Sequence, residues 1–205
     1  MENHGIRNLV FDFSDTLARF NGPSYMLELC GGDKETADRI YNNVFSHSVW
    51  ARYDLGEIGT EETHRLMTAE YSGEEREILA RYLSAWTDQY KPMPGMEPLL
   101  KKLKAEGFRL YLLSDFPEVF PPLLDRFPFL KEFDGRMVSY EVGLSKRYGS
   151  EIFRHLCSTF DLRPEECFYA DDLEKNIASA RSVGMKGYVF KSAQGYEKAL
   201  REALK

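Results

Sequence analysis

Short runs of apolar residues alternate with segments of helical periodicity along most of the chain. Five of these runs are four to six residues long and are bounded by turn or charged residues, as is typical of buried strands. They lie at residues 9–13, 109–114, 137–140, 167–170 and 187–190. Because apolar residues fill these runs with little alternation, we expect parallel strands that are covered on both faces.

Helical patterns separate the later strands, at residues 95–106, 149–160 and 173–183. Gly107 and Gly184 follow the first and last of them, at the place where glycine commonly ends a helix. A terminal amphipathic helix over residues 196–205 is expected to pack on the sheet. The alternation predicts an α/β fold with a Rossmann-like, doubly wound parallel sheet.

The segment after the first strand breaks this rhythm, because it has helical patterns and no convincing strand. The helical patterns cover residues 34–50, 60–71 and 73–86. The proline- and glycine-rich stretch KPMPGMEP, residues 91–98, then predicts a hinge back into the α/β part. We therefore predict a core domain of residues 1–20 and 91–205 and a mainly helical cap domain of residues 21–90.

Composition narrows the classes of function. The chain has 205 residues, 43% of them hydrophobic, which is enough for one sizeable core or for a core domain that carries a smaller appendage. Its net charge is −6 and no basic block stands out, so we expect no nucleic-acid partner. No window is apolar over the length of a membrane span, and Asp12 interrupts the apolar run near the N-terminus, so we expect neither a membrane partner nor a signal peptide.

The three cysteines, Cys30, Cys157 and Cys167, are far apart in the sequence and lack the close spacing of zinc sites or disulfide frameworks. We interpret them as reduced thiols and expect a cytoplasmic protein.

Polar and charged residues gather at the predicted carboxyl ends of the strands, where folds of this class bind ligands. The set consists of Asp12, Ser14, Asp15, Ser114, Asp115, Lys146, Asp171 and Asp172. Several carboxylates in one small site repel each other unless a cation joins them. Oxygen donors without histidine or cysteine favour Mg²⁺ over zinc. The four histidines, His4, His47, His64 and His155, lie away from these strand ends.

Magnesium in turn favours a phosphate substrate, whose oxygens Lys146 and the Ser114 hydroxyl are suited to hold. A carboxylate placed in line with phosphorus forms an aspartyl-phosphate. The strand ends therefore predict phosphoryl transfer.

Four motifs in order carry a resemblance to a known family. They are VFDFSDTL at residues 10–17, LLSD at 112–115, VGLSK at 142–146 and YADDLEKN at 169–176. Together they resemble the motifs of the haloacid dehalogenase-like (HAD) superfamily. The helical insert lies where that family has a C1-type cap, and GEIGTEE, residues 56–62, is similar to cap sequences of its small phosphatases and sugar-phosphate hydrolases.

The resemblance implies a role for each motif residue. Asp12 would be the nucleophile and a Mg²⁺ ligand, and the backbone carbonyl of Ser14 would also meet the metal. Ser114 would bind the transferring phosphate and Lys146 would neutralise it. Asp171 and Asp172 would anchor Mg²⁺, with Asn176 as a polar support for their loop.

The chain departs from the family pattern at four positions. Ser14 stands where a second aspartate usually acts as general acid and base, and a serine hydroxyl does not titrate near neutral pH. Asp15 stands where glycine is common, and Arg147 follows the lysine where proline is usual. Asp115 replaces a common asparagine and adds negative charge at the substrate site. Asp15, Ser14 with a water molecule, and the substrate itself are the candidates for the missing proton donor.

The insert offers candidates for substrate contact. His47, Trp50, Arg52 and Tyr53 lie on one helical stretch, although aromatic residues at helical spacing are usually core. Arg52 is the strongest candidate, because its guanidinium suits a second anionic group.

The leading hypothesis is a Mg²⁺-dependent phosphatase of a small phosphorylated metabolite. Two alternatives remain: a catalytically weak or inactive member that binds a phosphometabolite or a protein partner, and a haloacid dehalogenase, for which the metal-binding aspartates would be superfluous. The sequence names neither the substrate nor the oligomeric state, which is monomer or homodimer.

Overall fold

The computed structural model describes residues 5–205 and contains two β-sheets. The strands lie at Asn8–Phe11 (β1), Ala18–Phe20 (β2), Tyr90–Pro92 (β3), Arg109–Ser114 (β4), Gly135–Val138 (β5), Cys167–Asp171 (β6) and Lys186–Val189 (β7). The larger sheet has the order β5-β4-β1-β6-β7 and is parallel throughout. The predicted parallel α/β sheet is confirmed, and β1 is its central strand.

Helices precede and follow the strands of this sheet. They lie at Gly22–Leu29 (α1), Lys34–Ser46 (α2), Ser48–Asp54 (α3), Thr60–Thr68 (α4), Gly73–Ala85 (α5), Met96–Ala105 (α6), Leu123–Arg126 (α7), Ser139–Val142 (α8), Glu151–Thr159 (α9), Glu174–Ser182 (α10) and Ala193–Ala203 (α11). Helices α6 and α11 pack on one face of the sheet and α9 and α10 on the other. The sheet is therefore doubly wound, as predicted.

The register of β1 aligns the chemistry of three strands. Phe11 pairs with Leu112 of β4 on one side and with Ala170 of β6 on the other. The residues that follow these positions therefore emerge at the same edge of the sheet, which is the edge where parallel folds bind ligands.

Two predicted elements differ from the structure in type or number, beyond shifts of a few residues at the ends of the others. Strand β5 begins at Gly135, and Ser139 and Tyr140, predicted as strand, instead open helix α8. The helix predicted over residues 34–50 is two helices that meet at His47. The Nδ1 atom of His47 accepts a hydrogen bond from the Val49 N–H at 3.1 Å, so the imidazole caps α3 and fixes the break.

Helices α1 to α5, which we call the helical insert, lie between β2 and β3. These two strands pair antiparallel, with Ala18 opposite Pro92 and Phe20 opposite Tyr90. The ribbon was not predicted, because three-residue strands carry too little pattern. The apolar residues of the insert join one face of the main sheet in a single hydrophobic cluster. The division into a core domain of residues 1–20 and 91–205 and a cap domain of residues 21–90 stays a prediction.

Contacts from the core hold the end of α3. The buried Ser139 hydroxyl donates to the Asp54 carbonyl oxygen at 2.5 Å and accepts from the Phe116 N–H at 2.9 Å. Gly56 has a φ of +70°, and a Cβ at this position would lie 2.6 Å from the Tyr140 carbonyl oxygen. The close approach therefore requires glycine, and it fixes the insert above the sheet edge.

The three cysteines are free, as predicted. Among residues 5–205, each helix is too short or too polar to cross a lipid bilayer.

Candidate active site

Asp12 follows the central strand directly. Its backbone N–H still bonds to the Ala170 carbonyl oxygen at 2.9 Å, so the sheet fixes its backbone, and the residue is 6% exposed. The chain then turns sharply, since the Phe13 carbonyl oxygen accepts from the N–H groups of both Leu17 and Ala18 at 2.9 Å. The predicted nucleophile is thus held by the most buried part of the fold.

The ammonium group of Lys146 joins two of the predicted site carboxylates. Its Nζ lies 2.8 Å from Asp12 Oδ1 and 2.9 Å from Asp171 Oδ2. Lys146 is 4% exposed and opens a short 3-10 turn that Ser145 caps. The structure therefore brings together residues that the sequence separates by more than a hundred positions.

Asp171 is fully buried, and both oxygens of its carboxylate accept hydrogen bonds. Besides Lys146, it accepts from the Tyr169 hydroxyl, the Leu173 N–H at 2.9 Å and the Asn176 side-chain amide, which lies 3.0 Å from both carboxylate oxygens. Asn176 thus contacts the acidic loop at the place where the resemblance puts a polar support. Donors to both oxygens keep a buried carboxylate ionised.

The charges in this cluster do not balance. Burial raises the pKa of Asp12 to about 8; Lys146 opposes this shift and Asp171 adds to it. Burial and then Asp171 raise the pKa of Asp172 to about 6. Burial alone would lower the pKa of Lys146, but the carboxylates of Asp12 and Asp171 hold it well above its usual range. One ammonium group thus faces three carboxyl groups, two of them with a raised pKa, and a further cation would favour their ionised forms.

The donor set fits a hard divalent cation. Within residues 5–205, Asp12, Asp171 and Asp172 form a group whose ligand oxygens lie within 4.8 Å of one another. Carboxylate oxygens without nitrogen or sulfur donors are the set that Mg²⁺ prefers. These residues therefore have the chemistry to hold a magnesium ion.

Ser114 ends β4 beside this cluster and is 1% exposed. Its hydroxyl finds no hydrogen-bond partner among the described residues. Buried hydroxyls are nearly always paired, so this one lacks a usual partner, and Ser114 lines neither of the two cavities described below. Its predicted contact with a phosphate group stays a prediction.

Asp115 binds the loop that carries the lysine. Its Oδ2 accepts from the Ser145 hydroxyl at 2.8 Å and its Oδ1 from the Lys146 N–H at 3.0 Å. Both oxygens thus have partners within the protein, which fixes the Lys146 backbone. The predicted contact of Asp115 with substrate stays a prediction.

Ser14 and Asp15 form the turn that follows the nucleophile. The Ser14 hydroxyl bonds to the buried Tyr90 hydroxyl at 2.8 Å. Asp15 has a φ of +51°, in the left-handed region that favours glycine, and its Oδ1 accepts from the Phe20 N–H at 3.0 Å. Asp15 thus stabilises the turn with its own carboxylate.

Two cavities adjoin at this edge of the sheet. A polar cavity of about 230 Å³ is lined by Asp12, Asp15, Lys146 and Asp172 among others. The second cavity, of about 210 Å³, has aromatic walls. These include Phe20, Tyr41, Phe45, Trp50, Trp86 and Tyr90. Four residues line both cavities: Ser14, Asp54, Asp115 and Arg147.

Of the insert residues that the sequence offered as substrate contacts, one lines a cavity and the others make contacts elsewhere. Trp50 lines the aromatic cavity, whereas the Tyr53 hydroxyl bonds to Thr60 Oγ1 at 2.7 Å. His47 caps α3 and pairs with Glu70. Arg52 lies outside both cavities, is exposed and faces Glu57, with Nε 3.5 Å from Oε2. His4 lies outside the described residues, and the other histidines line neither cavity.

Sequence reasoning missed Asp54 as a site residue and treated Arg147 only as a departure. Asp54 is 7% exposed at the end of α3, and its Oδ2 lies 3.9 Å from Arg147 Nη2. Burial and then Asp115 raise the pKa of Asp54 to about 8, whereas Arg147 and Lys146 oppose this shift. The only signal in the sequence was its place two residues after Arg52, in the stretch that offers candidates for substrate contact.

Known proteins share this fold and parts of the sequence. The chain is 24% identical over 156 residues to the sesquiterpene phosphatase astK of Aspergillus oryzae, covering 76% of this chain and 79% of that protein. It is 23% identical over 154 residues to the chloroplast flavin mononucleotide hydrolase 1 of Arabidopsis thaliana, covering 75% of this chain and 61% of the relative.

A solved structure shares the architecture. The HAD family enzyme BT-2542 of Bacteroides thetaiotaomicron, in complex with magnesium and inorganic phosphate, superposes with a TM-score of 0.71 at 20% identity. The match covers 92% of this chain and 96% of the enzyme. At this identity the likeness shows a common fold.

The family follows from a match over most of the chain. The sequence model described as haloacid dehalogenase-like hydrolase matches residues 6–184, which include all four motifs and the insert. The resemblance inferred from the motifs is confirmed: the chain belongs to the haloacid dehalogenase-like hydrolases.

Proposed function

We propose that the protein is a Mg²⁺-dependent phosphatase of a small phosphate monoester whose alcohol part is apolar or aromatic. One observation carries the proposal: a polar cavity with Asp12 and Lys146 adjoins a cavity with aromatic walls. The phosphate group fits the first and the body of the ester fits the second.

The residues in and beside the polar cavity are those that phosphoryl transfer needs: Asp12 and Lys146 line it, and Ser114 ends the strand next to β1. Asp12 attacks phosphorus through a carboxylate oxygen, and the bond to the alcohol oxygen breaks as the aspartyl-phosphate forms. Lys146 and the unpartnered Ser114 hydroxyl bind the phosphate oxygens as charge develops. Because these groups are buried, they are oriented before the substrate arrives.

Asp12, Asp171, Asp172 and the Ser14 carbonyl would hold Mg²⁺, as the resemblance implies. When bound, the ion supplies positive charge that neutralises and orients the phosphate. The support for this assignment is the excess of buried carboxylates over the single Lys146 ammonium.

The aromatic cavity supports the choice of substrate class. Its rings pack against each other, with Phe20 stacked on Tyr90 at 4.6 Å and Trp86 on Phe116 at 5.0 Å between centroids. Aromatic walls of this kind gain free energy when they cover the apolar surface of a ligand. The name of one relative, a sesquiterpene phosphatase, agrees with a substrate of this class, whereas flavin mononucleotide, named in another, joins an aromatic ring to a polyhydroxylated chain that bears the phosphate.

The helical insert would act as the cap that selects the substrate. It supplies Tyr41, Phe45, Trp50 and Asp54 to the cavity walls, and its contacts with Ser139 and Tyr140 hold it over the site. A cap that covers a site in this way excludes water from the phosphoryl group.

A pair of esters tests the proposal. Naphthylmethyl phosphate and glycerol phosphate are both esters of primary alcohols, so their leaving oxygens are similar and their bodies differ. With Mg²⁺ we expect kcat/KM to be at least about tenfold higher for naphthylmethyl phosphate, given the apolar area buried. Turnover should stop in a chelator and fall by about a thousandfold or more in Asp12→Asn.

The control is Asp38→Asn, an exposed aspartate of the insert that pairs with Lys34. It should retain the activity of the wild type. Preference for glycerol phosphate would refute the substrate class alone. Full activity of Asp12→Asn, halide release from haloacids in a chelator, or ligand-induced thermal stabilisation without turnover of any ester would refute the phosphatase.

A further inference from the structure

Ser14, Asp54, Asp115 and Arg147 form the boundary between the polar and the aromatic cavity. If the phosphate lies in the polar cavity and the body of the ester in the aromatic cavity, the bridging oxygen lies at this boundary. These four groups, and a water molecule between them, are therefore the candidates for the proton donor to that oxygen.

Three of the four boundary residues are poor donors. A serine hydroxyl, as in Ser14, does not titrate near neutral pH, and both Asp115 oxygens accept hydrogen bonds from the lysine loop. Arg147 carries a guanidinium group, which is not a general acid. Asp15, the donor considered from sequence, lines the polar cavity alone and accepts from the Phe20 N–H.

Asp54 remains. Among the described residues, the contact that its carboxyl group makes is the approach of Oδ2 to Arg147 Nη2 at 3.9 Å, which leaves its oxygens open to a ligand. Its backbone is fixed, because the Ser139 hydroxyl holds its carbonyl oxygen. A carboxyl group on a fixed backbone at the boundary is suited to general acid catalysis.

We propose that Asp54 of the helical insert is the catalytic acid and base, in the role that Ser14 cannot fill. The inference rests on the proposed phosphatase function and deepens it. It assigns the proton transfer to the insert, which also binds the body of the substrate.

The electrostatic surroundings agree with this role. Burial raises the pKa of Asp54 to about 8, with a further contribution from the nearby Asp115, whereas Arg147 and Lys146 act to lower it. The carboxyl group therefore carries a proton at neutral pH, as a general acid must.

The two proposed steps, formation and hydrolysis of the aspartyl-phosphate, balance in atoms and in charge. In the first, an Asp12 oxygen bonds to phosphorus, the bond from phosphorus to the alcohol oxygen breaks, and the Asp54 proton passes to that oxygen. In the second, a water oxygen attacks phosphorus while the Asp54 carboxylate takes its proton. The bond to Asp12 then breaks, inorganic phosphate leaves, and both aspartates return to their initial states.

The test compares an ester that needs an acid with one that does not. Benzyl phosphate has a poor leaving group and para-nitrophenyl phosphate a good one, and each has a single ring. The quantity kcat/KM covers the steps up to aspartyl-phosphate formation. In Asp54→Asn we expect kcat/KM to fall about 10²- to 10⁴-fold for benzyl phosphate, and to fall less than about tenfold for para-nitrophenyl phosphate.

The second step is common to both esters, so kcat should fall for both in Asp54→Asn. The alkaline limb of the kcat/KM profile for benzyl phosphate should also disappear in this variant. Asp38→Asn is the control, and circular dichroism checks that Asp54→Asn is folded.

Equal losses of kcat/KM on the two esters, no loss on benzyl phosphate, or an unchanged alkaline limb would overturn the role of Asp54 and leave the phosphatase intact. Hydrolysis of neither ester by the wild-type protein with Mg²⁺ would overturn the proposed function, and the role of Asp54 with it.

Discussion

The carboxylate of Asp115 holds the backbone of Lys146, whose N–H donates to Oδ1 at 3.0 Å. The sequence suggested that this aspartate opposes an anionic substrate. Its two hydrogen bonds instead connect the end of β4 to the loop that carries the lysine. A negative charge here has a structural use, because it fixes the group that faces the phosphate site.

The first prediction separates these two roles. Asp115→Ala removes both acceptors, so the lysine loop shifts and kcat/KM should fall about a hundredfold. Asp115→Asn keeps an oxygen for the Lys146 N–H and should lose much less. Steady-state kinetics check this order. A lower KM in Asp115→Asn with an unchanged kcat would instead support electrostatic opposition to the substrate.

The second prediction concerns metal affinity. Asn176→Ala removes the amide that donates to both oxygens of Asp171, so the carboxylate loses its orientation. We expect the Mg²⁺ concentration for half-maximal activity to rise about 10- to 100-fold. The exposed Asn42→Ala is the matched control. An equal rise in the two variants would show that the effect is not local to the acidic loop.

The third prediction concerns the approach of the insert to the core. Gly56 and Gly73 both have a left-handed backbone conformation. In Gly56→Ala the new methyl group would lie against the Tyr140 carbonyl oxygen, whereas in Gly73→Ala, where φ is +54°, it would meet no described atom within 4 Å. Gly73→Ala should cost about 1 kcal/mol of unfolding free energy from backbone strain alone. Gly56→Ala should cost more and should also lower kcat/KM. Denaturant unfolding and kinetics measure both, and equal costs would contradict the steric argument.

The fourth prediction concerns stability and pH. The pKa of Asp54 in the folded protein is raised to about 8, above the value of about 4 for an unfolded aspartate. Its contribution to stability is therefore fully present below the unfolded value and is lost as the pH rises through the folded value. Between about pH 5 and about pH 9, the wild type should lose unfolding free energy relative to Asp54→Asn. Urea unfolding without added divalent cation measures this difference, and parallel pH curves would contradict it.

Much of the site followed from one rule about parallel strands. Because β1, β5 and β6 end at the same edge of the sheet, residues at and just beyond their ends are brought together: Asp12 follows β1, Asp171 ends β6 and Lys146 lies in the loop beyond β5. Lys146 Nζ lies 2.8 and 2.9 Å from the two carboxylates. The pattern of short apolar runs was sufficient for this step. It required no knowledge of side-chain packing.

The sequence did not predict which residue of the helical insert faces the site, because contacts between distant residues set the orientation of the insert. Ser139 and Asp54 are 85 positions apart. Arg52 and Asp54 lie on the same helix, but two residues turn a helix by about 200°, so they point to opposite sides. Once Ser139 binds the end of α3, Asp54 faces the site and Arg52 faces solvent.

The walls of the aromatic cavity belong to the hydrophobic cluster that joins the insert to the sheet. The same rings that would recognise the substrate also keep the molecule folded. A substitution that enlarges the cavity therefore removes packing from the protein, so new specificity comes at a loss of thermal tolerance. Evolution of this enzyme toward other substrates would require compensating stabilisation elsewhere in the chain.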